Sequence, residues 1–169
     1  PETRKLFCAC EPCAILFSNA AETKYRRVPH RLRYLPQLKL TNEQWESLMI
    51  PINMAFFFNS SVSGRITALY PSPAGATESL LNLEAWEQIV DDNPVLQEME
   101  PDTEALLVNR IGHATESFLL PIDECFRLVG LIRSNWRGLS GGTEIWEVIA
   151  EFFDELRRRA TVVRINAHA

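Results

Sequence analysis

Four β-prone apolar runs, grouped in two pairs, constrain this chain more than any other feature. Met54-Ala55-Phe56-Phe57-Phe58 and Arg65-Ile66-Thr67-Ala68-Leu69-Tyr70 flank the polar loop 59–64, and the runs 104–111 and 114–120 meet at Gly112-His113, residues suited to a tight turn. Each pair reads as a β-hairpin. The segment 71–76, with its prolines and glycine, reads as a connector.

Around the hairpins the period changes from strand to helix. Thr41-Asn42-Glu43-Gln44 is a capping box that opens a short helix with Trp45, Leu48 and Met49 on one side, stopped by Pro51. Asn82 is placed to cap a helix over 83–92 with Leu83, Trp86, Ile89 and Val90 inward, and Asn93-Pro94 ends it. Cys125, Leu128, Val129, Ile132 and Trp136 fall on the stripe of a further helix after Pro121. A last helix at about 143–159 is expected to bury Ile145, Trp146, Ile149, Phe152, Phe153 and Leu156, and it finishes on Arg157-Arg158-Arg159, cations suited to its negative end.

Residues 5–38 alternate short β-prone pieces (5–8, 14–17, 24–28 and 31–35) with polar turns, which predicts a small cysteine-containing β-ribbon. The order ribbon, α, ββ, α, ββ, α, α predicts an α+β fold, an antiparallel sheet built from two hairpins and covered by helices, rather than a parallel doubly wound sheet. The expected division is a basic ribbon at 1–39, a core domain at 40–160 and a loosely held tail at 161–169.

Charge divides at the same place. Residues 1–39 hold eight Lys/Arg against three Asp/Glu, whereas 40–169 hold nine against nineteen. A basic arm on an acidic body has three readings: an anionic partner, a solvated surface, or attraction between the two parts. An acidic body weakens phosphate binding by long-range repulsion, which disfavours nucleic acid. No apolar run reaches the ~18 residues that a membrane span needs, and no signal peptide is evident, so a soluble cytoplasmic protein is expected.

The sharpest chemical signal is Cys8-Ala9-Cys10-Glu11-Pro12-Cys13, three thiols in six residues. Thiolates this close can converge on one soft cation, and a Cys-x-x-Cys pair supplies two of the four ligands of a tetrahedral zinc site. Cys8 is a candidate third ligand and His30 a nearby fourth. Free thiols in a ribbon and a redox disulfide are the other readings, with disulfides disfavoured in a cytosol.

The remaining chemistry is thinner. Cys125 lies on an apolar stripe, so a buried inert thiol is the reading there. There is no Gly-x-Ser-x-Gly elbow, and Asp123 and Glu124 stand at a helix start, where capping explains them. Ser140-Gly141-Gly142-Thr143, with Arg137 just before it and Arg110 as a second cation, reads as a capping loop or as an anion-binding helix start. Neither a Walker nor a Rossmann glycine motif is present.

Cys8-Ala9-Cys10-x-x-Cys13-Ala14-x-Leu16-Phe17, Trp45-Glu46-Ser47-Leu48-x-Ile50-Pro51, Ala55-Phe56-Phe57-Phe58, the stretch from Ala68 to Leu81, and Trp136-Arg137-Gly138-Leu139-Ser140-Gly141-Gly142 together resemble an uncharacterised bacterial family often encoded beside [NiFe]-hydrogenase genes. The resemblance runs over nearly the whole chain. It implies an upstream Cys-x-x-Cys pair that completes a zinc-ribbon-like set. This sequence has no such pair, which leaves the site either completed by residues preceding Pro1 or empty. The resemblance further implies zinc, with iron as the less favoured metal, and a hydrogenase subunit or maturation protein as partner. The expected function is a non-enzymatic accessory role in hydrogenase maturation, assembly or electron delivery. The alternatives are an enzyme using Arg110, Arg137 and the 140–143 loop on a small anionic ligand, and a nucleic-acid-binding zinc-knuckle protein.

Overall fold

The computed structural model describes residues 7–18, 25–80, 82–112, 115–138 and 141–163. In chain order the elements are α1 Glu11–Ser18, β1 Arg33–Tyr34, α2 Asn42–Ser47, β2 Met54–Ser60, β3 Arg65–Ser72, β4 Gly75–Ser79, α3 Leu83–Asp92, a 3-10 turn Pro94–Glu98, β5 Glu104–Asn109, β6 Glu116–Pro121, α4 Ile122–Asn135, α5 Glu144–Arg159 and β7 Thr161–Val162. The fold is α+β. One sheet of order β4-β3-β2-β5-β6-β1-β7 runs through it, antiparallel at every junction except the short β1–β7 pair.

Both expected hairpins form, and they join edge to edge through β2 and β5, with Phe56 opposite Leu107 and Phe57 opposite Leu106. Because side chains alternate across a strand, Met54, Phe56 and Phe58 point to one face with Leu107, Phe118 and Leu120, while Ala55 and Phe57 point to the other with Leu106, Val108 and Leu119. α4 and α5 cover the first face through Cys125, Leu128, Ile132, Ile149, Phe152 and Phe153. α2 and α3 cover the second, where Phe57 lies stacked on Trp86 and edge-on to Trp45. Phe56, Phe57 and Phe58 are all but fully buried, which explains an unbroken apolar run in an antiparallel strand: this strand has no solvent face.

The helices start where their caps place them. Thr41 and Gln44 make the reciprocal capping box, and Asn82 Oδ1 accepts from the amides of Glu84 and Ala85. Fully buried Asn93 ties the end of α3 to the segment that leads into α2: its Nδ2 donates to the Lys39 and Ile89 carbonyls at 2.8 Å each, and its Oδ1 accepts from the Lys39 amide at 2.8 Å.

Several expectations are corrected. Gly75–Ser79 is not a connector but an edge strand, paired with β3 from Ala68–Ser79 to Ser72–Gly75. Its polar residues give no apolar alternation because one face there is only half covered and the other is exposed. Ala14–Phe17, expected as a ribbon strand, lies in α1. Of the segment 31–35, Arg33-Tyr34 pairs with Leu119-Phe118 of the main sheet, and Thr161-Val162 from the far end of the chain runs parallel beside it. Three side chains expected inward are exposed: Met49, which follows α2 with a positive φ, Leu83 and Trp146. The turn residue His113 lies outside the described residues.

The basic arm folds onto the acidic body. Glu104 opens β5 with no exposure and accepts from Arg31 Nε at 2.6 Å, Arg31 Nη2 at 2.7 Å and the Glu100 amide at 3.0 Å. Arg33 donates to Glu98 at 2.5 Å, and Arg26 reaches Asp102 at 3.5 Å and the Pro101 carbonyl at 3.2 Å. Burial pushes the Glu104 carboxyl up, but the Arg31 fork and the Glu100 amide together hold it below its ordinary 4.5. The pair's stabilisation is therefore complete above pH 4.5 and is lost as pH falls through the lower folded value. Arg31→Met leaves a buried carboxylate without its partner. Because the Arg31 side chain is itself 43% exposed, the expected loss at pH 7 is about 2–3 kcal/mol, at or below the low end for a broken buried pair. Urea unfolding at pH 7 and pH 4 should show the difference from the parent shrinking at the lower pH, where the stranded carboxyl takes up a proton.

Candidate functional site

Cys10 and Cys13 sit on the first turn of α1. The Cys10 carbonyl accepts from the Ala14 amide at 2.9 Å, which makes Cys10 the residue that caps the helix, and Pro12 costs nothing there because first-turn amides have no helical acceptor. Hydrogen bonding by the Cys13 amide and thiol holds the Cys10 thiol below its ordinary value, and the same contact with Cys10 pushes the Cys13 thiol up. The sequence spacing thus becomes a pair of inequivalent thiols. All three N-terminal cysteines are exposed and reduced.

The structure gathers Cys10 with Cys13. Among the described residues no three His, Cys, Asp or Glu side chains are grouped so as to hold a metal ion. In donor chemistry the pair suits a soft cation and supplies two of the four ligands of a tetrahedral zinc site.

A ladder of contacts carries this turn to the body. Phe7 meets Tyr25 edge-on at 5.9 Å, Arg27 donates to Glu11 at 2.6 Å, and the neighbouring Arg26 reaches Asp102. Asp102, at a positive φ, accepts from the Ser61 amide at 2.9 Å, so the arm is fixed against the β2–β3 turn. The outer surface of α1 is apolar, with Ile15, Leu16 and Phe17 about half exposed or more.

The second candidate is dispersed. Arg110 lies over the Trp45 ring at 5.4 Å and donates to the Thr41 carbonyl and to Asn42, at the start of α2. Arg137 is beyond the end of α4, on the side of α4 and α5, where its guanidinium donates to the Ser134 carbonyl at 3.3 Å. Its amide bonds the Gly141 carbonyl at 3.2 Å. Gly141 has φ +86°, and a Cβ there would stand 3.1 Å from the Trp136 ring and from Ile145, so packing and conformation both require glycine. Thr143 precedes α5 without a side-chain cap bond, and Ser140 lies outside the described residues.

Cys125 is fully buried on α4, and burial pushes its thiol far up, as the apolar stripe predicted. The open groove of about 500 Å³ along α4 and α5 holds Arg127, Glu155 and Arg158. Its main charges are already paired, with Arg127 on Glu155 at 2.9 Å and Glu124 at 3.0 Å and Arg159 on Glu124 at 2.6 Å. What sequence reasoning missed is that the thiols ride on a helix. The readable signal was Glu11-Pro12 just after Cys10, an acid and a proline that belong to first turns.

A family model described as "Family of unknown function (DUF5947)" matches residues 1–160. The chain belongs to this family. No curated protein and no solved structure matches it. Within the described residues no helix is long and apolar enough to cross a membrane.

Native protein treated with a disulfide-forming thiol reagent should titrate three cysteines quickly and the fourth only in denaturant. Cys125→Ala should remove that denaturant-dependent thiol and leave the fast ones unchanged.

Proposed function

We propose that this protein is a non-enzymatic accessory factor that engages a partner protein through its N-terminal arm, in the maturation, assembly or electron delivery of a [NiFe]-hydrogenase in the cytoplasm. The observation that carries the interaction reading is the arm itself: a thiol pair capping a helix whose outer surface presents Ile15, Leu16 and Phe17 to solvent. Exposed apolar and thiol groups side by side suit contact with another protein better than contact with water. The hydrogenase setting rests on the resemblance of the quoted segments to a family encoded beside such genes, which is an association and not a mechanism.

In this reading Cys10 and Cys13, joined by Cys8, are ligands for zinc, with iron as the less favoured metal, and further ligands come from beyond this chain's described residues or from the partner. The partner is a hydrogenase subunit or a maturation protein. The arginines of the arm argue against nucleic acid as that partner, because Arg26, Arg27, Arg31 and Arg33 each already face a carboxylate of the same chain.

Tagged protein expressed from its native start codon should co-purify with a hydrogenase protein and carry about one metal ion per chain, as elemental analysis would show. A Cys10→Ser, Cys13→Ser double variant should lose the metal. Unchanged hydrogenase activity after deletion of the gene would count against the setting, and equal metal content in parent and variant would remove the metal site.

A further inference from the structure

An open hollow of about 220 Å³ lies where α3, the 3-10 turn and the end of β2 meet. Its floor is apolar: Trp86, Leu96 and Met99 line it and are each more than nine-tenths buried. Helical spacing sets Glu87 and Asp91, four residues apart on α3, side by side at the mouth, where both are exposed. Neither makes an ion pair among the described residues, and no Lys or Arg lines the hollow. Like charges at this spacing weaken a helix, so the pair does not serve to hold α3.

Two polar groups in the hollow are without partners as well. Trp86 is 6% exposed and stacked on Phe57 at 4.9 Å, yet its indole N–H finds no acceptor among the described residues, although buried indoles usually have one. The Asn59 main-chain carbonyl accepts from the Asp102 amide at 2.9 Å, whereas the Asn59 carboxamide, which also lines the hollow, makes no hydrogen bond among the described residues.

We propose that this hollow receives a basic side chain, arginine or lysine, presented by a partner protein. The apolar stem lies on Trp86, Leu96 and Met99, and the cationic head stays at the wet mouth with Glu87 and Asp91, the way long basic side chains divide between apolar surface and water. Two carboxylates and no cation exclude an anionic ligand. The volume is below the ~300 Å³ at which small-molecule pockets begin, which suits one side chain rather than a whole ligand. A peptide also brings carbonyl oxygens for the Trp86 N–H and the Asn59 amide, and a bare alkyl cation brings none. Arg26 of the arm does not fill the place, because it is held by Asp102 at 3.5 Å and the Pro101 carbonyl at 3.2 Å. This goes beyond the accessory reading: it gives the partner's contact a chemistry at a place that needs neither α1 nor its thiols.

The test is an NMR titration of the ¹⁵N-labelled full chain with N-acetylarginine amide, followed at the Trp86 indole and the Asn59 carboxamide. Both signals should shift saturably, with a dissociation constant on the order of 1 mM. Butylguanidinium should bind more weakly, and neutral butylurea should not saturate. The Glu87→Gln, Asp91→Asn double variant alters only exposed positions, so its urea midpoint should match the parent's while its affinity for the arginine amide falls about tenfold. Absence of a saturable Trp86 shift, equal affinity in parent and variant, or butylurea binding as well as the cations would each overturn the proposal. Butylguanidinium binding as tightly as the arginine amide would overturn the assignment to a protein side chain. The Cys10→Ser, Cys13→Ser variant should bind the probe as the parent does, so this site and the metal site fail separately.

Discussion

Burial of the sheet on both faces is the constraint from which the rest of the molecule follows. β2, β5 and β6 lie between α4 and α5 on one side and α2 and α3 on the other, so every residue of these strands except Asn59 is buried. A carboxylate at the start of β5 can stay ionised there only with a partner that brings charge and geometry together. Arg31 does so with a two-nitrogen fork, and the Glu100 amide takes another of the acceptor sites. The arm is thereby attached by the need of the core. The charge asymmetry along the chain is used inside the molecule: of the three readings it allowed, attraction between arm and body accounts for Arg26, Arg31 and Arg33.

How legible the fold was depended on whether an element carries its own signal. The capping box at Thr41, the Asn82 cap and the stripes of α4 and α5 are local chemistry, and each element forms where that chemistry places it. β4 carries none: as an edge strand with polar, half-covered residues it exists through its pairing with β3, a partner that no window of sequence contains. β1 is similar, two residues recruited by β6 and held from the other side by residues 161–163. The N-terminal helix was misread for the opposite reason. Ile15-Leu16-Phe17 is a consecutive apolar run that suits a buried strand, but it lies in α1 with each side chain about half exposed or more. Trp146 and Met49 show that stripe positions near helix ends lie where the covering layer runs out.

The candidate site was half legible. The Cys-x-x-Cys spacing marks Cys10 and Cys13 whatever the backbone does, since a turn and a helical start both bring residues three apart into contact. The place of Cys8 depended on the backbone: a ribbon strand would put Cys8 and Cys10 on one face, whereas a helix beginning after Cys10 joins Cys10 to Cys13 instead. Arg110 and Arg137 were associated by charge alone. The sheet that separates α2 from α4 and α5 lies between the elements that hold them, a long-range fact that no spacing encodes.

Four identical side chains therefore have different chemistries set by where the fold leaves them. Cys125 is packed into the layer that makes the sheet two-sided, so its thiol is a small apolar volume. Cys10 and Cys13 stand at the far end of a graded attachment. The deep link, Arg31 to Glu104, is buried on the carboxylate side, while the outer link, Arg27 to Glu11, is exposed on both sides and is worth at most about 1 kcal/mol. A covalent or metal change at the α1 turn therefore disturbs only the weak link. The sheet does not have to yield for the thiols to react, and chemistry at the arm and stability of the core can vary independently.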